Sequence, residues 1–249
     1  MSNEGPLAGK TALVTGGALR LGRAICSALA AQGVHVIVHY RSSKDAAESL
    51  AETLRETDAK AWTISANLES PEEAGRLVDR ALELSGELDF IVNNAAIFPR
   101  DTLEDLSTEN LFQNLSVNAL SPLIIARAFS ARGGTGAIVN LLDARVTDYD
   151  REHVSYHLSK RMLLSLTRMM AAEFAPAVRV NAIAPGLILP PVGEDESYLE
   201  ALADTNYLKR VGSPEDVCSA VLFLLASEFI TGQTLYVDGG RHMKGNFYG

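Results

Sequence analysis

Residues 11–15, TALVT, are a short run of apolar and β-branched side chains, broken by Gly16-Gly17. From Leu19 to Ala31 the period changes, and Leu21, Ile25, Ala28 and Leu29 fall on one helical side. A doubly buried strand, a glycine turn and a helix, in that order, leave few folds open. Free N–H groups at the start of such a helix attract anions, so the turn reads as a phosphate-binding opening. The alternation continues. Strands are expected at 34–39, 60–65, 88–92, 137–142, 178–184 and 234–237. Helices are expected at 44–56, from Pro71 behind a Ser70 cap, at 108–130 with Pro122 as a kink, at 153–174 and at 214–226. Such alternation calls for an α/β fold, a parallel sheet of about seven strands with helices on both faces.

No composition shift marks a second domain, so residues 1–249 read as one. The segment 187–208 is acidic, interrupted by Pro and Gly, and expected to be irregular. It follows the carboxyl end of a strand, where open α/β sheets bind ligands, so a substrate lid is expected there. An ordinary surface excursion is the plainer alternative.

The net charge of −9 weighs against nucleic acid or an anionic membrane as partner. An anionic ligand would need a local basic site. Cys26 and Cys218 sit in apolar helical patterns with neither disulfide nor metal-ligand spacing. The start of the chain is polar, and no apolar run approaches membrane-spanning length, so a cytoplasmic protein is expected.

The chemistry centres on Tyr156-x-x-x-Lys160. On a helix this spacing stacks phenol and ammonium one turn apart. A nearby cation lowers a phenol's pKa, which would make a proton donor usable near neutral pH. Alone, the pair could be two residues on a solvated helix face. Its company matters: Asn93-Asn94-Ala95-Ala96 after a buried strand, Asn118 on the long helix, and Asp143 ending an apolar strand. The second strand ends His39-Tyr40-Arg41-Ser42-Ser43, with no acid to accept from an adenosine ribose. Arg41 with two hydroxyls suits a 2′-phosphate, so NADPH is expected. Arg20 should lie beside bound phosphate and can bridge its oxygens. An ionised aspartate at 143 cannot donate to a developing alkoxide, whereas it suits an imine nitrogen that gains a proton. Alternatively Asp143 is a surface loop residue, is protonated, or pairs with Arg145.

Together these residues resemble the short-chain dehydrogenase/reductase family over nearly the whole chain. The family turn T-G-x-x-x-G-x-G stands here as Thr15-Gly16 through Gly22, with Arg20 for the middle glycine. Asp143 stands where serine is usual. Both departures resemble the pteridine reductases, as does the H-Y-x-x-S run. The resemblance implies a Rossmann-like, doubly wound sheet. It implies that Tyr156 donates a proton, Lys160 lowers its pKa and holds the nicotinamide ribose, and Asn118 orders a relay water. Cofactor contacts are implied at Thr15, Gly16, Arg20, Leu21 and Gly22, at Tyr40, Arg41, Ser42 and Ser43, and at Asn67 and Leu68. Asn93, Ala95, Pro185 and Gly186 complete them. A pterin is expected against Phe98, touching Arg20, Asp143 and Tyr156. Asn67 replaces the usual aspartate, and Ile188 replaces a serine common in that subgroup. The expected reaction is NADPH-dependent reduction of a dihydropterin, with dihydrofolate a further substrate. The alternatives are a carbonyl reductase and a nucleotide-binding module without turnover. Family members are commonly tetramers built by pairing the helices at 108–130 and 153–174. Here Met162, Leu163, Leu164, Leu166, Met169 and Met170 exceed one buried face, so a homotetramer is expected.

Overall fold

A computed structural model describes residues 5–244. Its strands are β1 (Thr11–Val14), β2 (His35–Tyr40), β3 (Ala61–Ser65), β4 (Phe90–Asn93), β5 (Gly136–Leu141), β6 (Val178–Pro185) and β7 (Thr234–Val237). They form one parallel sheet in the order β3-β2-β1-β4-β5-β6-β7. The helices are α1 (Arg20–Ala30), α2 (Lys44–Arg55), α3 (Pro71–Ser85), α4 (Thr108–Leu115), α5 (Ser121–Ala131), α6 (Val154–Glu173), α7 (Glu196–Glu200) and α8 (Pro214–Ala226). This is the expected Rossmann-like α/β architecture. The strand order reverses between β1 and β4, and a crevice opens at such a switch.

Each central strand feeds two cores, because successive side chains point to opposite faces. Ala12, Val14, Val36, Val38, Phe90 and Val92 pack with α1, α2 and α8. Leu13, Ile37, Ile91 and Ile138 pack with Leu77 and Val78 of α3, Phe129 of α5 and Met170 of α6. That two-sided burial is why these strands read as continuous apolar runs. Cys26 and Cys218 are buried and free. Among the described residues, no helix is long and apolar enough to cross a membrane.

Caps set several helix starts. Ser70 Oγ accepts from Glu73 N at 3.3 Å ahead of Pro71. Ser213 and Asp216 form a reciprocal capping box before Pro214. The expected long helix at 108–130 differs in one respect. It runs as α4, a π-helical turn at Ser116–Leu120, and α5. Pro122 has no N–H to give the carbonyl four residues back, which belongs to Asn118. The backbone widens there, with Ser121 N donating to Ser116 O. The segment 187–208 is also more ordered than expected. Asp195 caps the short helix α7, and Leu187, Ile188 and Leu199 are buried.

Candidate active site

The carboxyl ends of β1, β4 and β5 bring the candidate residues together. The turn after β1 is braced from β4. Thr15 Oγ1 accepts from Asn94 N (3.0 Å) and Ala95 N (3.1 Å), and Asn94 Nδ2 donates to Thr15 O (2.9 Å) and Gly16 O (3.1 Å). A Cβ on Gly22 would lie 2.1 Å from Gly16 O, so the turn can close only with glycine there. His39 holds the other side. Its Nδ1 accepts from Gly16 N at 3.0 Å, which leaves the proton on Nε2, 3.1 Å from Ala66 O. Burial keeps this imidazole neutral, with its pKa lowered to about 4.

These contacts frame a cleft of about 350 Å³. Gly16, Arg20, Leu21 and Gly22 line its floor, Arg41, Asn67 and Leu68 one wall, and Ala95 the other. Leu19 gives α1 no side-chain cap, so the first-turn N–H groups face this space. Asn67 Oδ1 accepts from Glu69 N, fixing its loop. Ser43 stands at the N-cap of α2 with its hydroxyl uncommitted to capping. Tyr40 ends β2, with the exposed Ser42 two residues on. Asn93 is turned away: its Nδ2 donates to Asn140 Oδ1 (2.8 Å) between strands, and Asn94 lines the cleft instead. Pro185 ends β6 at the carboxyl edge of the sheet, and Gly186 N donates to Val237 O (2.9 Å).

Arg20 has a φ of 51°, a left-handed conformation that glycine adopts freely. The glycine usual at this place is therefore a conformational requirement, which arginine meets under strain. Its guanidinium donates to the Pro190 carbonyl and so ties the turn to the 187–208 segment. Ile188 packs into the core under α8, not toward the cleft.

At the end of β5, Asp143 Oδ1 accepts from Arg145 N at 2.7 Å, and Oδ2 accepts from the Tyr156 hydroxyl at 3.3 Å. The Arg145 guanidinium lies 3.8 Å from Asp150. Lys160 is buried, with Nζ 2.7 Å from Leu141 O and 5.6 Å from the centre of the Tyr156 ring. Burial draws its pKa down to about 8, against the Asp143 carboxylate. The Tyr156 phenol departs from expectation. Desolvation first, then Asp143, push it well above its ordinary value. The carboxylate beside it favours the neutral phenol, so Tyr156 stands here as a proton donor bonded to an acceptor.

Asn118, on the π turn, has its side chain bound to Ile97. Ile97 N donates to Oδ1 (2.9 Å), and Nδ2 lies 3.0 Å from both Ile97 O and Ser159 Oγ. The loop after β4 is thereby fixed, and Phe98 on it is 46% exposed. One face of Phe98 stacks on His153 at 4.0 Å, and the ring meets Tyr156 edge-on at 4.6 Å. Asp101 anchors the same loop to α6, where Ser155 donates through N and Oγ to its carboxylate. Sequence reasoning missed His39, Asn94 and Asp101 as braces. His39 and Asn94 carried a signal, as members of the His39–Ser43 and Asn93–Ala96 runs, and Asp101 carried none.

A family model described as enoyl-(acyl carrier protein) reductase matches residues 17–242. The chain belongs to the short-chain dehydrogenase/reductase family. It is thus an oxidoreductase. FolM alternative dihydrofolate reductase 1 from Brucella canis, solved with NADP, superposes with a TM-score of 0.89 at 32% identity, covering 98% of each chain. Human dehydrogenase/reductase SDR family member 4 is 33% identical over 96% of this chain and 90% of its own length. The 3-oxoacyl-[acyl-carrier-protein] reductase FabG of Staphylococcus epidermidis is 29% identical over 94% of this chain and 99% of its own.

Proposed function

We propose that this reductase transfers hydride from NADPH to a ring C=N of a dihydropterin, and of dihydrofolate in particular. The observation that carries the substrate class is the Tyr156–Asp143 hydrogen bond. A carboxylate that accepts from the catalytic phenol offers no donor to a carbonyl oxygen, yet it favours a positive charge on a nearby imine nitrogen. The likeness to the Brucella FolM, titled an alternative dihydrofolate reductase, agrees with such a substrate.

The cleft suits a dinucleotide phosphate: open N–H groups at α1, Arg20 beside them, and Arg41 at the wall, followed in the chain by Ser42 and Ser43, for a 2′-phosphate. NADPH supplies the hydride when bound. Tyr156 gives its proton to the ring nitrogen, and Asp143 holds that hydroxyl and stabilises the cationic nitrogen. Lys160, still mostly an ammonium at neutral pH, favours the phenolate left behind and is placed to hold a ribose. Asn118 keeps the Phe98 loop in place and sits where a relay water is expected. The face of Phe98 away from His153 stacks the flat heterocycle.

The competing activity is carbonyl reduction, favoured by relatives such as FabG. NADPH consumption with dihydrobiopterin, with dihydrofolate, with acetoacetyl thioester and with no acceptor separates the two. Asp143→Ser removes the charge and supplies a donor. It should lower pterin turnover by roughly 10²-fold, the low end for one positioned acid–base group, and raise ketone turnover. Asp143→Asn keeps the shape and should also be poor with pterin. Full pterin activity in both variants would make Asp143 a bystander and remove the main support for this substrate.

A further inference from the structure

His153 is the last residue before α6 and stands just ahead of Tyr156 in the chain. Its backbone is fixed from two sides. Asp101 N donates to Glu152 O (2.8 Å) and Val154 N to Asp101 O (3.2 Å), which bridges the loop after β4 to the start of the helix. Asp150 Oδ1 accepts from Glu152 N (2.8 Å) and from His153 N (3.2 Å). The imidazole itself is little used as a polar group. Its Nδ1 is buried and makes no hydrogen bond among the described residues. Asp150 Oδ2 lies 3.4 Å from it, close enough for attraction but out of line for a hydrogen bond. A buried nitrogen left unbonded costs stability, so hydrogen bonding does not account for an imidazole here.

What the ring does use is its face. It lies 4.0 Å from the Phe98 ring with 13° between the planes, and Phe98 meets Tyr156 at 4.6 Å and 87°. The main chain around Phe98 is pinned at Ile97 by Asn118 and at Asp101 by Ser155. Those bonds hold the backbone and leave the phenyl ring its own torsions. Phe98 is also too exposed for burial to fix its ring. A near-parallel aromatic neighbour does fix it, because such a stack favours one ring plane over the others. An aliphatic side chain of similar size would fill the space and prefer no plane. His153 thus sets the plane that Phe98 presents beside the catalytic phenol.

We infer that His153 is a positioning residue for the substrate: its ring backs Phe98 as a second plate and holds the surface on which a flat heterocycle lies. Its contribution is to substrate affinity, made through Phe98, and not to proton transfer. This rests on the pterin reading above and adds to that site a residue that need not touch the substrate.

The test uses His153→Gln, His153→Leu and His153→Phe in the full chain, with NADPH. Gln keeps a polar group beside Asp150, Leu keeps apolar bulk, and only Phe keeps a flat face. In the Gln and Leu variants the KM for dihydrobiopterin and for dihydrofolate should rise about fivefold at nearly constant kcat, the loss expected of one aromatic stack. The KM for NADPH should not change. His153→Phe should return both pterins to within about twofold of the parent. A rise in the Leu variant alone, an equal rise for NADPH, a loss that Phe does not restore, or no rise at all overturns the role. A parent enzyme that turns over neither pterin defeats the substrate reading instead. Calorimetry with pteridine-2,4-dione, a flat ring that needs no turnover, then reads the plate alone on the parent with NADP. Binding that weakens in the Gln and Leu variants and returns in the Phe variant upholds it. No binding to the parent, or equal binding by every variant, overturns it.

Discussion

At the scale of single residues, Arg20 carries two burdens that separate cleanly. Its backbone sits at a φ of 51°, where a residue other than glycine is strained by about 1 kcal/mol. Its guanidinium lines the cofactor cleft and reaches Pro190. Arg20→Gly relieves the strain, but a glycine also gains freedom in the unfolded chain, and the two effects oppose each other. The melting temperature without ligand should therefore move little. The Kd for NADPH, measured by fluorescence titration, should rise roughly tenfold through loss of a charged phosphate contact. A large fall in thermal stability with unchanged Kd would show that the arginine matters to the fold and not to the phosphate. The sequence pointed to this residue as a phosphate contact standing where the pattern has glycine. The positive φ explains why the pattern wants glycine.

At the scale of elements, the cleft is assembled by cross-links between the ends of neighbouring strands, and His39 is the one that titrates. It joins β2 to the turn after β1 and to the end of β3. Its folded pKa of about 4 lies below its ordinary value of 6.5. Between those values the unfolded chain binds a proton that the folded chain does not. Stability therefore rises with pH across this window and is lost as pH falls from 6.5 toward 4. His39→Gln can donate to Ala66 O and accept from Gly16 N without titrating. Urea unfolding at about pH 7 and about pH 4.5 should show the parent losing roughly 2–3 kcal/mol more than this variant between the two conditions. Equal losses would mean that His39 is not the titrating brace. The elements themselves were largely legible, because strands buried on both faces and helices with apolar stripes carry distinct periods. Pro122 was legible as an irregularity, but not as a π turn centred on Asn118, since the backbone can answer a missing N–H in several ways. Asp101 was not legible as a cap for α6, because it meets Ser155 across 54 residues of chain. The tyrosine, lysine and aspartate were legible through local spacing. The raised phenol was not, because it depends on burial and on how close Asp143 comes in space.

At the scale of the whole molecule, large apolar side chains are exposed on α4 and α6 and, apart from them, on α8 and β7, among others on the described residues. The expected excess on α6 is smaller than its sequence suggested, since Leu163 and Met170 are buried in the chain's own core. Met169 and Leu158 remain exposed on α6, and Phe112 on the neighbouring α4. On the far side, Phe223 of α8 and Leu235 of β7, the last strand of the sheet, are also exposed. Two distinct faces, each pairing with its own copy, would generate a closed tetramer of dihedral symmetry, whereas one face would stop at a dimer. We therefore expect light scattering at micromolar concentration to give about four times the chain mass of 26.7 kDa. Met169→Glu should break the α4–α6 face and leave a dimer through the other. Phe223→Glu with Leu235→Lys should break the α8–β7 face and leave the complementary dimer. All three changes together should give a folded monomer, judged by unchanged circular dichroism. A parent protein that is already monomeric would refute the tetramer. A parent dimer abolished by Met169→Glu alone would leave the α8–β7 face without a role in assembly.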